Sequence, residues 1–202
     1  IDRERARIIL FFGAVFWTFS VYILRGYPGN SKIWNDSSII IFMGLIVTVS
    51  AWSSVVQLKY IASNGELLLI VVILVAVADI GAFFFGKTFG RTKLAPELSP
   101  NKTWEGVLGA FSSGVFICIP GAWILNKYIL ELTSFQIAIL FSLSLMISFF
   151  SIVGDLFESM LKRNQNLKDS GFVLPGHGGI LDRVDGLIAV LPIFTLVMLK
   201  IY

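Results

Sequence analysis

Six long apolar runs separated by polar segments divide the chain: Ile8–Leu24, Ile39–Val56, Leu67–Phe85, Gly106–Leu125, Phe135–Val153 and Gly186–Tyr202. A bilayer core of ~30 Å takes roughly 20 apolar residues per helical crossing, and each run is of that order. In hydrocarbon every backbone amide must be paired within its own segment unless strands close into a barrel. The strict two-residue alternation of a barrel strand is absent from all six runs. The pattern therefore predicts an all-α, polytopic integral membrane protein with about six transmembrane helices. Gly13, Gly44, Gly109, Gly114 and the serines from Ser142 to Ser148 offer small side chains for close helix packing.

Composition agrees, because 56% of residues are hydrophobic and only 14% are charged, too few to cover a water-exposed globule. Arg3, Arg5 and Arg7 before the first run look like the start of a signal peptide, but no small-residue cleavage site follows. The chain begins with Ile1 rather than Met, so the expectation is an excerpt of a longer protein. Cys118 is the single cysteine and lies mid-run, which excludes an intramolecular disulfide and points to packing. With one histidine and no cysteine near it, zinc is a poor fit.

With six spans, the loops 25–38, 86–105 and 154–185 share one face. That face carries Arg25, Lys32, Lys87, Arg91, Lys93, Lys102, Lys162, Arg163, Lys168 and Arg183, ten of the sixteen basic residues. Cytoplasmic loops are enriched in Lys and Arg, so this face is expected to be cytoplasmic, against the opposing pull of Arg3 to Arg7. The net charge of +3 suits an anionic membrane surface and a phosphate-bearing substrate equally.

Candidate chemistry collects on the same face. If the fifth helix continues past its apolar run, Asp155, Glu158, Ser159 and Lys162 fall at i, i+3, i+4 and i+7 and share one side. If the sixth begins near Leu181, Asp182 and Asp185 also share a side, just after the glycines of Pro175-Gly176-His177-Gly178-Gly179. Carboxylates at the membrane end of two helices suit a hard divalent ion, which takes oxygen ligands from one or two acids, water and substrate phosphate. The plain structural alternative is that the acids form salt bridges with Lys162, Arg163 and Arg183. His177, between glycines beside these acids, is a candidate phosphate donor or proton-transfer group. Asp79 sits within the third apolar run, where an ionisable group costs at least ~2.5 kcal/mol and by default marks a site. Ser99, Pro100 and Lys102 read as a cap and turn opening the fourth helix, whose amides favour an anion. Gly86-Lys87-Thr88 lacks the spacing and strand of a P-loop.

Three stretches together, Ser159-Met160-Leu161-Lys162-Arg163, Lys168-Asp169-Ser170-Gly171 and Pro175-Gly176-His177-Gly178-Gly179-Ile180-Leu181-Asp182-Arg183-Val184-Asp185, closely resemble the signature of phosphatidate cytidylyltransferases (CDP-diacylglycerol synthases). Ala78-Asp79-Ile80-Gly81-Ala82, Lys93-Leu94-Ala95-Pro96 and Ser99-Pro100-Asn101-Lys102-Thr103-Trp104-Glu105-Gly106 are similar to that family's pattern too, although the family usually has Thr or Ser where Ile80 stands. Members generally carry additional N-terminal spans. The resemblance thus implies N-terminal helices over 1–66 and a catalytic core over 67–202.

It also implies a reaction, transfer of a cytidylyl group from CTP to phosphatidic acid, giving CDP-diacylglycerol and pyrophosphate. By analogy Asp155 and Asp182 are the metal ligands for Mg²⁺, with Asp185 assisting and a second cation allowed. Asp155, Asp182, Asp185, His177, Lys168 and Asp169 form the expected catalytic set. Asp79, Ser99, Asn101, Lys102, Glu158, Ser159, Lys162, Arg163 and Arg183 form the expected substrate-binding set. The lipid would stay in the leaflet of a bacterial inner membrane and meet CTP at the cytoplasmic face; a homodimer is allowed and no nucleic acid is expected. Two other readings stay open: a CTP-dependent membrane enzyme acting on an ether lipid or isoprenoid alcohol, and a transporter. The spaced aspartates of CDP-alcohol phosphotransferases are missing.

Overall fold

The computed structural model describes residues 2–29, 31, 34, 36–128, 133–171 and 178–201, without the side chains of 121, 122, 124–128 and 136. Six helices follow the six apolar runs: α1 Arg3–Gly26, α2 Ser37–Ile61, α3 Glu66–Phe89, α4 Trp104–Tyr128, α5 Ser134–Asn164 and α6 Leu181–Ile201. Five are long and apolar enough to cross a membrane; within α4 the apolar segment Trp104–Pro120 is shorter. Each helix overruns its apolar run because backbone pairing continues into polar sequence where water or side chains cover the exposed face. The overrun is greatest in α5. Its 31 residues span about 46 Å, more than the hydrocarbon thickness, so the segment from Gly154 onward reaches the polar boundary.

Cores form between the helices and the outer surface faces lipid. One cluster joins Trp17 of α1, Met43 of α2 and Phe157 and Met160 of α5; a second joins Leu58, Val71, Ile147, Val190 and Phe194. Phe11, Phe42, Trp52, Phe83 and Phe116 are exposed on the protein alone, as a lipid-facing surface requires. Some buried hydroxyls are satisfied within their own helices: Ser54 donates to the Ser50 carbonyl at 2.8 Å and Thr195 to that of Leu191 at 2.8 Å.

Small residues set the closest helix approaches, as the sequence suggested, but not at every glycine. Gly13 abuts Ser50 between α1 and α2, Gly109 abuts Phe85 and Gly81 between α4 and α3, and Gly114 faces Ser148 between α4 and α5. Gly44 departs from that expectation, since a Cβ placed on it would meet nothing within 4 Å.

One element differs from the sequence reading. Lys93–Ala95 (β1) and Ser99–Thr103 (β2) form an antiparallel hairpin, pairing Lys93 with Thr103 and Ala95 with Ser99. Ser99 is therefore a strand residue and not the cap of α4. The reason is local: Ala95 and Ser99 each precede a proline, which drives the preceding residue out of the helical region into extended backbone. Thr103 takes over the capping role, its Oγ1 accepting from the Gly106 amide at 3.1 Å. Glu105 reaches back to accept from the Thr92 amide at 3.2 Å, and the Trp104 amide donates to the Thr92 carbonyl at 2.9 Å, fastening the hairpin to α4. Buried Leu98 anchors its turn in the first core cluster.

Candidate active site

The site lies where α3 ends, α4 begins, α5 ends and α6 begins. Its position follows from one close crossing: Gly154 of α5 lies against Asp185 and Ala189 of α6, and Gly186 lies against Ser151. An added Cβ at Gly154 would stand 2.5 Å from the Asp185 carbonyl oxygen, so only glycine lets the helices approach this closely. Asp155 and Asp185, each adjacent to a crossing glycine, are thereby brought to one cleft. Gly154→Val is expected to push the helices apart, costing about 1–3 kcal/mol of stability by overpacking. A thermal midpoint in detergent equal to that of the parent protein would contradict this account.

The cleft holds three carboxylates and a lysine from four elements. Lys102 of β2 makes an ion pair with Asp155 Oδ2 at 2.5 Å, and Ser159 Oγ reaches Asp155 Oδ1 at 3.4 Å from one turn along the helix. Asp79 of α3 accepts from Ser151 Oγ at 3.0 Å, and Asp185 Oδ1 accepts from the Gly186 amide at 2.7 Å. Asp79 and Asp185 both feel the charges of Asp155 and Lys102, which makes these four groups one electrostatic unit. Asp155 remains 44% exposed, so the cleft is open at this carboxylate.

A second cluster fastens the loop before α6 to α5. Lys162 pairs with Asp182 Oδ1 at 2.5 Å and with Glu158 Oε2 at 3.0 Å. The other Asp182 oxygen accepts from the Ser170 amide, the Ser170 hydroxyl and the Gly179 amide, each at 2.8 Å. Gly178 sits beside it at φ +79°, a left-handed conformation that suits glycine. Glu158 Oε1 is buried with no hydrogen-bond partner among the described residues, and Glu158 also acts electrostatically on Asp185. Glu158 thus links the two clusters.

The remaining candidates are placed more loosely. Arg163 is exposed, its Nε donating to the Leu98 carbonyl at 3.3 Å and its Nη1 to that of Leu167 at 3.4 Å, so it ties α5 to the hairpin turn. Asn101 is exposed on the strand residue next to Lys102, and Ser99 is half-buried at the start of β2. Lys168, Asp169 and Arg183 are exposed. His177 lies outside the described residues. Ser151 and Ser170 were overlooked as partners in the sequence reading. Ser151 precedes Asp155 by one helical turn, and that spacing was the available signal. Among the described residues no three acidic, histidine or cysteine side chains converge to enclose a metal ion by themselves.

Membrane-length helices around an acid-rich cleft, with Lys102 paired to Asp155 across it, define an integral membrane protein with a charged site. The sequence model of the cytidylyltransferase family matches residues 3–201; the chain belongs to that family and is a nucleotidyltransferase. It is similar to the phosphatidate cytidylyltransferase of Pseudomonas aeruginosa, 39% identical over 194 residues, covering 95% of this chain and 69% of that protein. The Haemophilus influenzae protein of the same name is 33% identical over 96% of this chain and 69% of its own length. The one from Rickettsia typhi is 34% identical over 92% of this chain and 82% of its own length.

Proposed function

We propose that this chain transfers a cytidylyl group from CTP to phosphatidic acid, forming CDP-diacylglycerol and pyrophosphate for phospholipid synthesis. A phosphate oxygen of the lipid forms the new bond to the α-phosphorus of CTP, the bond from that phosphorus to the bridging oxygen breaks, and pyrophosphate leaves with the electron pair. Such a displacement needs charge neutralisation and alignment more than covalent participation by the protein. The observation that carries the reading is the cleft itself, with Lys102 held against Asp155 beside Asp79 and Asp185.

The donor set fits a hard divalent cation. All of its members are carboxylate oxygens, and a buried Glu158 oxygen with no partner among the described residues lies next to it. Asp155 and Asp185 would hold Mg²⁺ from the open cleft. Asp182, whose oxygens already take Lys162, Ser170 and Gly179, joins the ligands only by exchanging those partners. When bound, Mg²⁺ supplies neutralisation of the triphosphate and polarisation of the α-phosphate, and a second cation would share the same acids.

In this reading Lys102 orients phosphate oxygens from the hairpin side, and Lys162 does so from α5 while Glu158 and Asp182 keep its ammonium in place. Ser159 steadies Asp155, and Asp79 with Ser151 closes the deep end of the cleft. Arg163, Lys168 and Arg183 supply positive charge at the rim, with Ser99 and Asn101 as polar contacts. His177 and Asp169 are assigned to proton transfer or phosphate contact. Residues 67–202 carry all of these groups, and the helices of 1–66 supply a wall. The ten basic residues on this face favour a cytoplasmic site in a bacterial inner membrane, with the lipid entering from the leaflet. A homodimer is compatible with the exposed apolar faces, and no nucleic acid is required.

The test is purified protein in detergent with CTP, phosphatidic acid and Mg²⁺. Pyrophosphate and CDP-diacylglycerol are expected in equal amounts, with turnover lost on adding EDTA and restored by excess Mg²⁺. Turnover with an isoprenoid alcohol in place of phosphatidic acid, or solute uptake without turnover, would replace this reading by one of its rivals.

A further inference from the structure

A cavity of about 260 Å³ lies between α1, α2, α5 and α6. Its walls are mostly apolar, with Trp17, Met43, Val47, Phe157, Leu161 and Ile188 among them, and Glu158 and Asp185 also line it. Asp185 belongs also to the cleft described above, so the two spaces share a carboxylate. We propose that this cavity is the subsite for the glycerol-ester region and adjoining acyl chain of the lipid substrate, with Trp17 as its hydrogen-bond donor. The inference rests on the lipid-dependent reaction proposed above and assigns the part of the lipid that does not react.

Three observations support it. First, away from Glu158, Asp185 and the Trp17 N–H the walls are aliphatic, thioether and aromatic and offer ordered water none of the two to four polar partners it needs, whereas an acyl chain asks for none. Second, Trp17 is only 3% exposed and its indole Nε1 has no acceptor among the described residues. A buried donor left unpaired is costly, and an ester carbonyl supplies the acceptor it lacks. Glu158 Oε1, one of three other buried side-chain atoms with no partner among the described residues, belongs to the polar lining of the same cavity. Third, Gly44 lines the cavity and a Cβ there meets nothing within 4 Å, so the space is not closed by close packing of α2. An amphiphile with an apolar tail and a hydrogen-bond acceptor close to its headgroup matches the apolar walls and the Trp17 donor, and a lipid ester is such a molecule.

Gly44→Phe adds a ring at a cavity-lining position of α2 that lies outside the proposed catalytic and substrate-binding residues. It is expected to raise the apparent KM for dioleoyl phosphatidate about tenfold, while the KM for CTP and the kcat on dihexanoyl phosphatidate stay as in the parent. An unchanged KM for the long-chain lipid, or an equal rise for CTP, overturns the proposal. A second measurement does not depend on turnover. Phosphatidate brominated near the ester end of its chains is expected to quench a fluorescence component that Trp17→Phe removes; quenching that is the same in both proteins overturns the subsite. If parent protein shows this Trp17-dependent quenching but no cytidylyl transfer, the reaction assignment fails and the lipid subsite stands.

Discussion

Asp155→Asn is expected to lower Mg²⁺-dependent formation of CDP-diacylglycerol by about 100- to 1,000-fold, the loss typical when one preorganised charge-stabilising contact is removed. The substitution keeps the shape and leaves Ser159 an oxygen to approach, but removes the charge that holds Lys102 at 2.5 Å and that would face a cation. Because Asp155 is 44% exposed, its ion pair contributes little to folding, and the thermal midpoint should stay within a few degrees of the parent. Turnover and melting should therefore separate. Full activity would remove Asp155 from the reaction, and a collapse of stability would make its role structural.

Asp182→Ala should behave differently, lowering both activity and stability. One carboxylate here accepts from Lys162, twice from Ser170 and once from Gly179, and its side chain is only 12% exposed. Removing a partner of a buried ion pair costs about 3–5 kcal/mol, and the residual exposure of both side chains puts the expected loss near the lower end. Amide hydrogen exchange supplies the decisive readout. The amides of Ser170 and Gly179 lose their acceptor and should exchange faster, whereas amides in the middle of α3 should not. Unchanged exchange at both positions would mean that Asp182 does not organise this loop.

Contrasting these two acids shows what could be read from the residues in order. The spacing of Asp155, Glu158, Ser159 and Lys162 foretold one helical face, and the Ser159 to Asp155 and Lys162 to Glu158 contacts lie along it. Asp79 was marked by its depth in an apolar run, yet its hydroxyl partner, Ser151, comes from a helix 72 residues further on. No local pattern names that partner. The hairpin carrying Lys102 was missed because five residues of strand inside a polar loop leave almost no periodic signal. Pro96 and Pro100 are both visible in the sequence, but Pro100 beside Ser99 reads there as the turn opening the fourth helix.

Hydrophobicity along the chain was enough to determine six helices and the shared face of the three polar loops. Those outcomes depend on the transfer of each residue between water and lipid, which adds up locally. Tertiary structure alone decided that Lys102 meets Asp155 while Lys162 meets Asp182, and that a cavity opens beside Trp17 and Glu158. These follow from where the helices cross, at Gly154 against Asp185 and Gly109 against Gly81. A crossing is set by which small residues face each other in space, a relation between distant segments that no single stretch of sequence contains.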